Sequence, residues 1–256
     1  EFEIQKNILI SDYIDMIDKK TGHLLGMSAQ MGASLAKSNE EIQKKFMRFG
    51  LLLGRAFQIQ DDYLDVYGDS ISFGHMVSVH KTWCALISQK FEHRYICNNP
   101  SKNGNTTKDA LNRITHDLEN HRPDIVMVQF GLNDANFWKT DNGMPRITKN
   151  LYKANLNEII SRLKNISNTK KITISTNHLP TKTIDFLDEN IYRSNVASYN
   201  NIVREVADEN KILLIDHEKM WQTLPNTSSL LLDDGVHLSV AGHKFYYETI
   251  LEANAL

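Results

Sequence analysis

Two segments far apart in the chain carry the residue types that nucleophilic catalysis needs. Gly68-Asp69-Ser70-Ile71-Ser72 places a serine directly after Gly-Asp, where a tight turn off a strand end exposes a hydroxyl at the carboxyl edge of a sheet. Asp233-Asp234-Gly235-Val236-His237-Leu238-Ser239 places an acid three residues before a histidine, a spacing that fits both onto one loop. Together they offer ester cleavage: Asp234 accepts a hydrogen bond from one ring nitrogen of His237, and the other nitrogen takes the Ser70 proton. Asp233 is then a bystander. Taken singly, each segment reads first as a polar surface turn. The Asp-x-x-His spacing also suits a metal pair, but no other histidine or cysteine cluster accompanies it, and a metal site needs more ligands.

Such chemistry also needs donors for the oxyanion that develops on the attacked carbonyl. Gly131-Leu132-Asn133-Asp134 follows the apolar run that ends at Phe130, so Gly131 allows a sharp turn and the Asn133 amide reaches the same sheet edge. Asn103-Gly104-Asn105-Thr106-Thr107 lies between a strand candidate and a helix candidate, which brings the Gly104 N–H to that edge. A helix cap is an equally good account of this second stretch on its own.

The elements that must position these residues fall into two grammars. From about Tyr13 to Leu64 apolar residues recur at helical spacing, as in Ile42, Phe46, Phe49, Leu52 and Leu53, and this part reads as all helical. Ser38 and Glu41 form a Ser-x-x-Glu capping box, so a helix is expected to start near Asn39. After about Asp69, short β-rich runs alternate with amphipathic stretches, the grammar of an α/β fold. Strands are expected over Arg94–Cys97, Asp124–Phe130, Lys171–Thr176 and Lys211–Ile215. Ile125-Val126-Met127-Val128 suits a parallel strand covered on both faces. Helices are expected over Val77–Phe91, Thr107–Asn120, Asn150–Lys164, Ser198–Glu209 and Val240–Glu252, with Lys139–Arg146 as a surface loop.

Composition narrows the partners. A net charge of -2 across 256 residues gives no electrostatic reason to bind nucleic acid or another polyanion. No apolar run is long enough for a membrane span, and the first residues lack the basic start and apolar stretch of a signal peptide. Cys84 and Cys97 make no disulfide framework, which favours a reducing, cytoplasmic compartment. Nothing in the pattern specifies an oligomeric state.

From about Val66 onward the sequence resembles the GDSL or SGNH hydrolases. Gly68-Asp69-Ser70-Ile71, Gly104, Gly131-x-Asn133-Asp134 and Asp234-x-x-His237 stand in that family's order, with Ile71 where its name carries a leucine. The resemblance implies a flavodoxin-like three-layer sandwich with a parallel sheet, preceded here by the helical segment. It implies Ser70 as nucleophile, His237 as base and Asp234 as its orienting acid. The Ser70 N–H, the Gly104 N–H and the Asn133 side chain would form the oxyanion hole. Small-molecule carboxylic esters or thioesters are the implied substrates, and no cofactor is needed.

A second resemblance covers the first 70 or so residues. Lys20-Thr21-Gly22 and Phe57-Gln58-Ile59-Gln60-Asp61-Asp62-Tyr63-Leu64-Asp65 look like the Lys-Thr element and second aspartate-rich motif of trans-polyprenyl diphosphate synthases. That family also requires a first aspartate-rich motif upstream, which is absent from the sequence. Prenyl transfer is therefore not expected. The alternatives to catalysis are a noncatalytic fusion offering a helical partner surface, or weak Mg²⁺ or diphosphate binding by Asp61, Asp62 and Asp65. The chain reads as a fusion: a helical segment over residues 1–65 and a hydrolase-like domain over 66–256, crossing over at Gly68–Gly74. The two halves conflict at one place. The hydrolase needs a buried strand just before Gly68, whereas the synthase uses Asp61–Val66 as a helix end. Asp65 fits poorly in a central strand, so a short strand of Leu64, Val66 and Tyr67 is expected.

Overall fold

The computed structural model describes residues 10–60, 63–92, 94–137, 140, 144–182 and 189–256. The chain divides into two compact units, Glu1–Asp62 with His93–Tyr95, and Tyr63–Glu92 with Ile96–Leu256.

The first unit is helical. Helix α1 (Ile10–Ile17) runs through a π turn at Asp18–Gly22 into α2 (His23–Leu35), and a short link leads to α3 (Glu40–Gln60). α2 and α3 pack at glycines: a methyl at Gly50 would lie 2.5 Å from the Leu25 carbonyl oxygen, and one at Gly54 would lie 2.6 Å from the Gly22 Cα. Arg55 grips Asp18 with both ends of its fork, at 2.7 and 2.6 Å. The expected Ser38–Glu41 capping box does not form. Asn39 caps α3 instead, accepting from the Ile42 N–H at 2.9 Å. Ser38 is already committed to closing α2, its hydroxyl donating to the Ala33 carbonyl. Ile42, Phe46, Phe49, Leu52 and Leu53 follow helical spacing as expected, yet all five are exposed.

The second unit is a five-stranded parallel sheet in the order β2-β1-β3-β4-β5, with β1 at Tyr63–Gly68, β2 at Ile96–Asn98, β3 at Ile125–Gln129, β4 at Lys171–Ser175 and β5 at Leu213–Ile215. This is a flavodoxin-like order, in which ligands bind where the strand order reverses, beyond the carboxyl ends of β1 and β3. A short helix α4 (Ser70–Phe73) follows β1, and α5 (Trp83–Lys90) leads to β2. α6 (Thr107–Ile114), widened into a π turn to Glu119, leads to β3, which is followed at once by α7 (Leu132–Ala135). α8 (Lys149–Lys164), α9 (Glu189–Asn210), α10 (His217–Gln222) and α11 (Val240–Glu252) complete the unit. α6, α8 and α9 pack side by side in one layer, and α5, α11 and α10 pack in the other.

The expected α/β elements are present with shifted ends. α9 starts well before Ser198 because Tyr192 and Val196 continue, toward the N-terminus, the buried stripe of Tyr199, Val203 and Val206. α5 starts only at Trp83, where the Thr82 hydroxyl accepts from the Ala85 N–H. The contested first strand forms over the whole of Tyr63–Gly68, longer than expected and with Asp65 inside it. Two polar contacts hold its start: the Tyr63 N–H donates to Asp124 at 2.9 Å, and the wholly buried Asp65 carboxylate lies 3.0 Å from His121 Nδ1.

Candidate active site

The turn after β1 sets the geometry. Asp69 is extended and accepts from the Ile71 N–H at 2.9 Å, which starts α4 and places Ser70 at its first position, 8% exposed. Gly68 has no room for a side chain, since a methyl there would lie 2.5 Å from Ser72 Oγ and 2.7 Å from the Gln129 carbonyl oxygen. Burial is the main reason the Asp69 carboxyl is pushed up to about 7; the Ile71 N–H opposes this and the nearby Asp134 adds to it.

The Asp234–His237 loop meets this turn from the other end of the chain. Asp234 Oδ1 accepts from the Val236 and His237 N–H groups at 2.8 and 2.9 Å, and Oδ2 lies 2.7 Å from His237 Nδ1. A carboxylate can only accept, so Nδ1 carries the proton and Nε2 is left as an acceptor. That nitrogen lies 2.9 Å from Ser70 Oγ. Although burial alone would raise the Asp234 carboxyl, its bonds to His237 and the two N–H groups hold it below the ordinary aspartate range.

Gly104 lies in the loop that follows β2 and Asn133 in the short helix α7 that follows β3, the strands on either side of β1. Both are tied down locally. The Lys102 N–H donates to the Gly68 carbonyl at 3.1 Å, and Arg113 braces the same loop through Pro100, Asn105 and Gly68. Asn133 Nδ2 donates one hydrogen to the Asn105 carbonyl at 3.1 Å, which leaves the second amide hydrogen for a ligand. Asp134, next in the chain, is fully buried and holds the N-terminus of α6, accepting from the Thr107 N–H and hydroxyl at 2.9 and 2.5 Å. Burial raises its carboxyl to about 6 against those bonds.

Several residues around the site gave no signal in the sequence. The His237 ring lies beside that of His75, with centroids 4.5 Å apart. Behind the Asp234–His237 loop, His178 Nε2 donates to the Val236 carbonyl while Nδ1 accepts from the Tyr246 hydroxyl, both at 2.8 Å. Burial lowers His178 to about 4, which keeps it neutral and able to serve as both donor and acceptor. The Thr181 N–H and Lys182 Nζ hold the Gly235 and Asp233 carbonyls, each at 2.8 Å. Ser72, Gln129, Asn177 and Asn200 form a buried hydrogen-bonded chain running from the Ser70 turn toward Glu218. Each such contact joins residues distant in sequence, so no local spacing announces it.

Of the aspartates considered for Mg²⁺, one lies among the described residues. Asp65 is enclosed in β1 against His121, and Asp61 and Asp62 lie outside the described residues, as do 139 and 141–143 of the expected Lys139–Arg146 loop. Among the described residues no group of three or more His, Cys, Asp or Glu side chains is placed to hold a metal ion. No described helix is long and apolar enough to cross a membrane.

Comparison with known proteins accords with this arrangement. The GDSL-like lipase/acylhydrolase family model matches residues 66–245. The chain belongs to that family. Its α/β part is an ester-hydrolase domain, and its fold is that of a lipase/acylhydrolase from Enterococcus faecalis, 22% identical, which covers 75% of this chain and 94% of that one at a TM-score of 0.62. An acetyl xylan esterase from Geobacillus stearothermophilus is similar at 22% identity, 75% and 94% coverage and the same TM-score. A polyprenyl synthetase model matches residues 1–113, overlapping the GDSL-like match from residue 66. A short chain isoprenyl diphosphate synthase of Methanocaldococcus jannaschii is 44% identical over 68 residues, 27% of this chain and 21% of that protein. A geranylgeranyl diphosphate synthase of Saccharolobus solfataricus is 40% identical over 73 residues, 28% of this chain and 22% of that protein. The chain thus spans about a fifth of the length of the curated relatives it matches.

Proposed function

We propose that the chain hydrolyses carboxylic esters of small molecules through an acyl-enzyme on Ser70. The observation that carries this reading is the unbroken line from Asp234 Oδ2 through His237 to Ser70 Oγ, with steps of 2.7 and 2.9 Å. His237 Nε2 takes the Ser70 proton as Oγ attacks the ester carbon, and Asp234 stabilises the imidazolium. The Ser70 N–H, the Gly104 N–H and the free hydrogen of the Asn133 amide receive the developing oxyanion, each donor worth about a hundredfold or more in rate. His237 then gives its proton to the leaving alcohol. In the second half it takes a proton from water, whose oxygen attacks the acyl carbon, and returns it to Ser70 Oγ as the acid leaves.

The test is hydrolysis of p-nitrophenyl acetate by the full chain beside Ser70→Ala, with circular dichroism confirming that both are folded. Loss of at least about a thousandfold in kcat/KM is expected. Equal turnover by the two proteins would overturn the assignment of Ser70.

A further inference from the structure

The ring that lies tilted beside His237 is itself a histidine, and the proposed chemistry leaves it without a task. His75 is fixed on both sides of its side chain. Its backbone N–H donates to the Ser70 carbonyl at 3.1 Å, so it is part of the nucleophile turn. It lies between two left-handed residues, Gly74 at φ +84 and Met76 at φ +59. A methyl at Gly74 would lie 2.2 Å from Thr82 Cγ2. Met76 adopts that conformation without a glycine's freedom, a local cost of the kind found where a turn must aim a side chain. At the ring, Asn103 Nδ2 lies 3.1 Å from His75 Nδ1. An amide nitrogen only donates, so Nδ1 accepts and the neutral ring carries its proton on Nε2. Burial first, and then the neighbouring His237, lower His75 below the ordinary histidine range, which favours that neutral ring.

The two catalytic hydrogen bonds of His237 lie in its ring plane, one at Nδ1 and one at Nε2. They fix where the nitrogens point and leave tilting about the line between them to be resisted by a face contact. The His75 ring, at 4.5 Å and 50° to the His237 plane, supplies such a contact. Its importance changes along the reaction. While Ser70 is free, Oγ restrains Nε2. Once Oγ is acylated it no longer donates, and the Asp234 bond becomes the sole in-plane restraint at the moment His237 must aim at a water molecule. Building on the proposed acyl-enzyme, we propose that His75 is a positioning residue that holds the His237 ring on line for deacylation.

The experiment is stopped-flow release of p-nitrophenolate from p-nitrophenyl acetate by the full chain, His75→Ala, His75→Phe and Ser70→Ala, each checked for folding. This leaving group departs without a proton, so acylation and deacylation separate. In His75→Ala the expected result is a burst close to one equivalent of enzyme, followed by a steady rate lowered about tenfold, within the range that a positioned general base contributes. His75→Phe, which restores a ring without a titrating group, recovers most of the steady rate. A burst rate and steady rate that fall together, neither rate changing, or a phenylalanine variant no better than alanine would overturn the role of His75. Absence of release by the folded parent, or release that persists in Ser70→Ala, would overturn the acyl-enzyme reading and this proposal with it, and the Ser70→Ala control separates that failure from the others.

Discussion

Asp65→Asn tests the physics of the strand that leads to Ser70. Asp65 is fully buried in β1, with Oδ2 bonded to His121 and, among the described residues, no hydrogen-bond partner within reach of Oδ1. Burial pushes its carboxyl up from 3.8 to about 6, against the lowering effect of His121. A shift of about two units corresponds to about 3 kcal/mol. The sign follows from the direction. A carboxyl that holds its proton more tightly when folded stabilises the fold below the unfolded value near 3.8, and this contribution is lost as the pH rises through 6. Asparagine mimics the protonated acid, with one oxygen to accept from His121 and no charge to desolvate. The variant is therefore expected to match the parent near pH 4 and to exceed it by about 3 kcal/mol at pH 7. With a urea m-value of about 2 kcal/mol/M, the midpoint at pH 7 moves up by about 1.5 M. The buried Trp83 and Trp221 give the fluorescence signal within the α/β unit. Asp69 and Asp134 titrate in the same sense in both proteins, so the difference between the two curves isolates Asp65. An asparagine variant no more stable at pH 7, or a gap of equal size at pH 4 and pH 7, would refute the desolvation argument.

Further outcomes follow from the same coordinates. Asp234→Asn keeps an oxygen for the Val236 and His237 N–H groups but frees the His237 tautomer, so kcat is expected to fall about 10⁴-fold with the fold intact; steady-state ester kinetics check it. Because the Asp234 carboxyl is lowered when folded, it adds stability above its unfolded value of 3.8 that is lost as the pH falls through its folded value, so the parent's advantage over Asp234→Asn in urea melts should be present at pH 7 and shrink as the pH falls below 3.8. Asn133→Ala is expected to lower kcat by about 10² to 10³ with little change in KM, the signature of a donor used mainly in the transition state. Gly131→Ala places a methyl 2.8 Å from the Tyr152 hydroxyl and 2.9 Å from Asn177 Nδ2 on a backbone at φ +136, and a loss of about 2 kcal/mol or more is expected in thermal or urea melts.

What the sequence revealed and what it hid divide by range. Local signals carried well: α11 begins and ends where its periodicity places it, with the Ser239 hydroxyl accepting from the Gly242 N–H at its start. The apolar run at Ile125–Val128 is buried on both faces as its composition requires. The closeness of Asp234 and His237 was legible because only two residues separate them, and the loop brings the carboxylate to 2.7 Å from the ring. The capping box failed on a local competition, since Ser38 and Asn39 both offer a cap and Ser38 had a second partner in Ala33. The helical stripe of Ile42, Phe46 and Phe49 was legible as periodicity, but periodicity does not say whether a face is covered, and this one is exposed.

The hidden features all pair residues that only the topology brings together. His178 reaches Val236 across 58 residues, Thr107 reaches Asp134 across 27, and Asp65 reaches His121 across 56. The last pair decides the contested strand. Apolar-run logic argues against a carboxylate at position 65, and the aspartate-rich run before it argues for a helix that continues. Yet register places Asp65 beside Val126 of β3 and Asn98 of β2, where the ladder satisfies its backbone and His121 meets one carboxylate oxygen. Leu64, Val66 and Tyr67 then bury their side chains almost completely. Gly68 at the strand's end supplies the carbonyl that Lys102 and Arg113 bind. The gain from those three apolar side chains, several kcal/mol at about 1.5–3 kcal/mol each, exceeds the cost of about 3 kcal/mol for one desolvated carboxylate. That balance lets a single segment resemble a synthase motif in sequence while serving as the first strand of a hydrolase sheet.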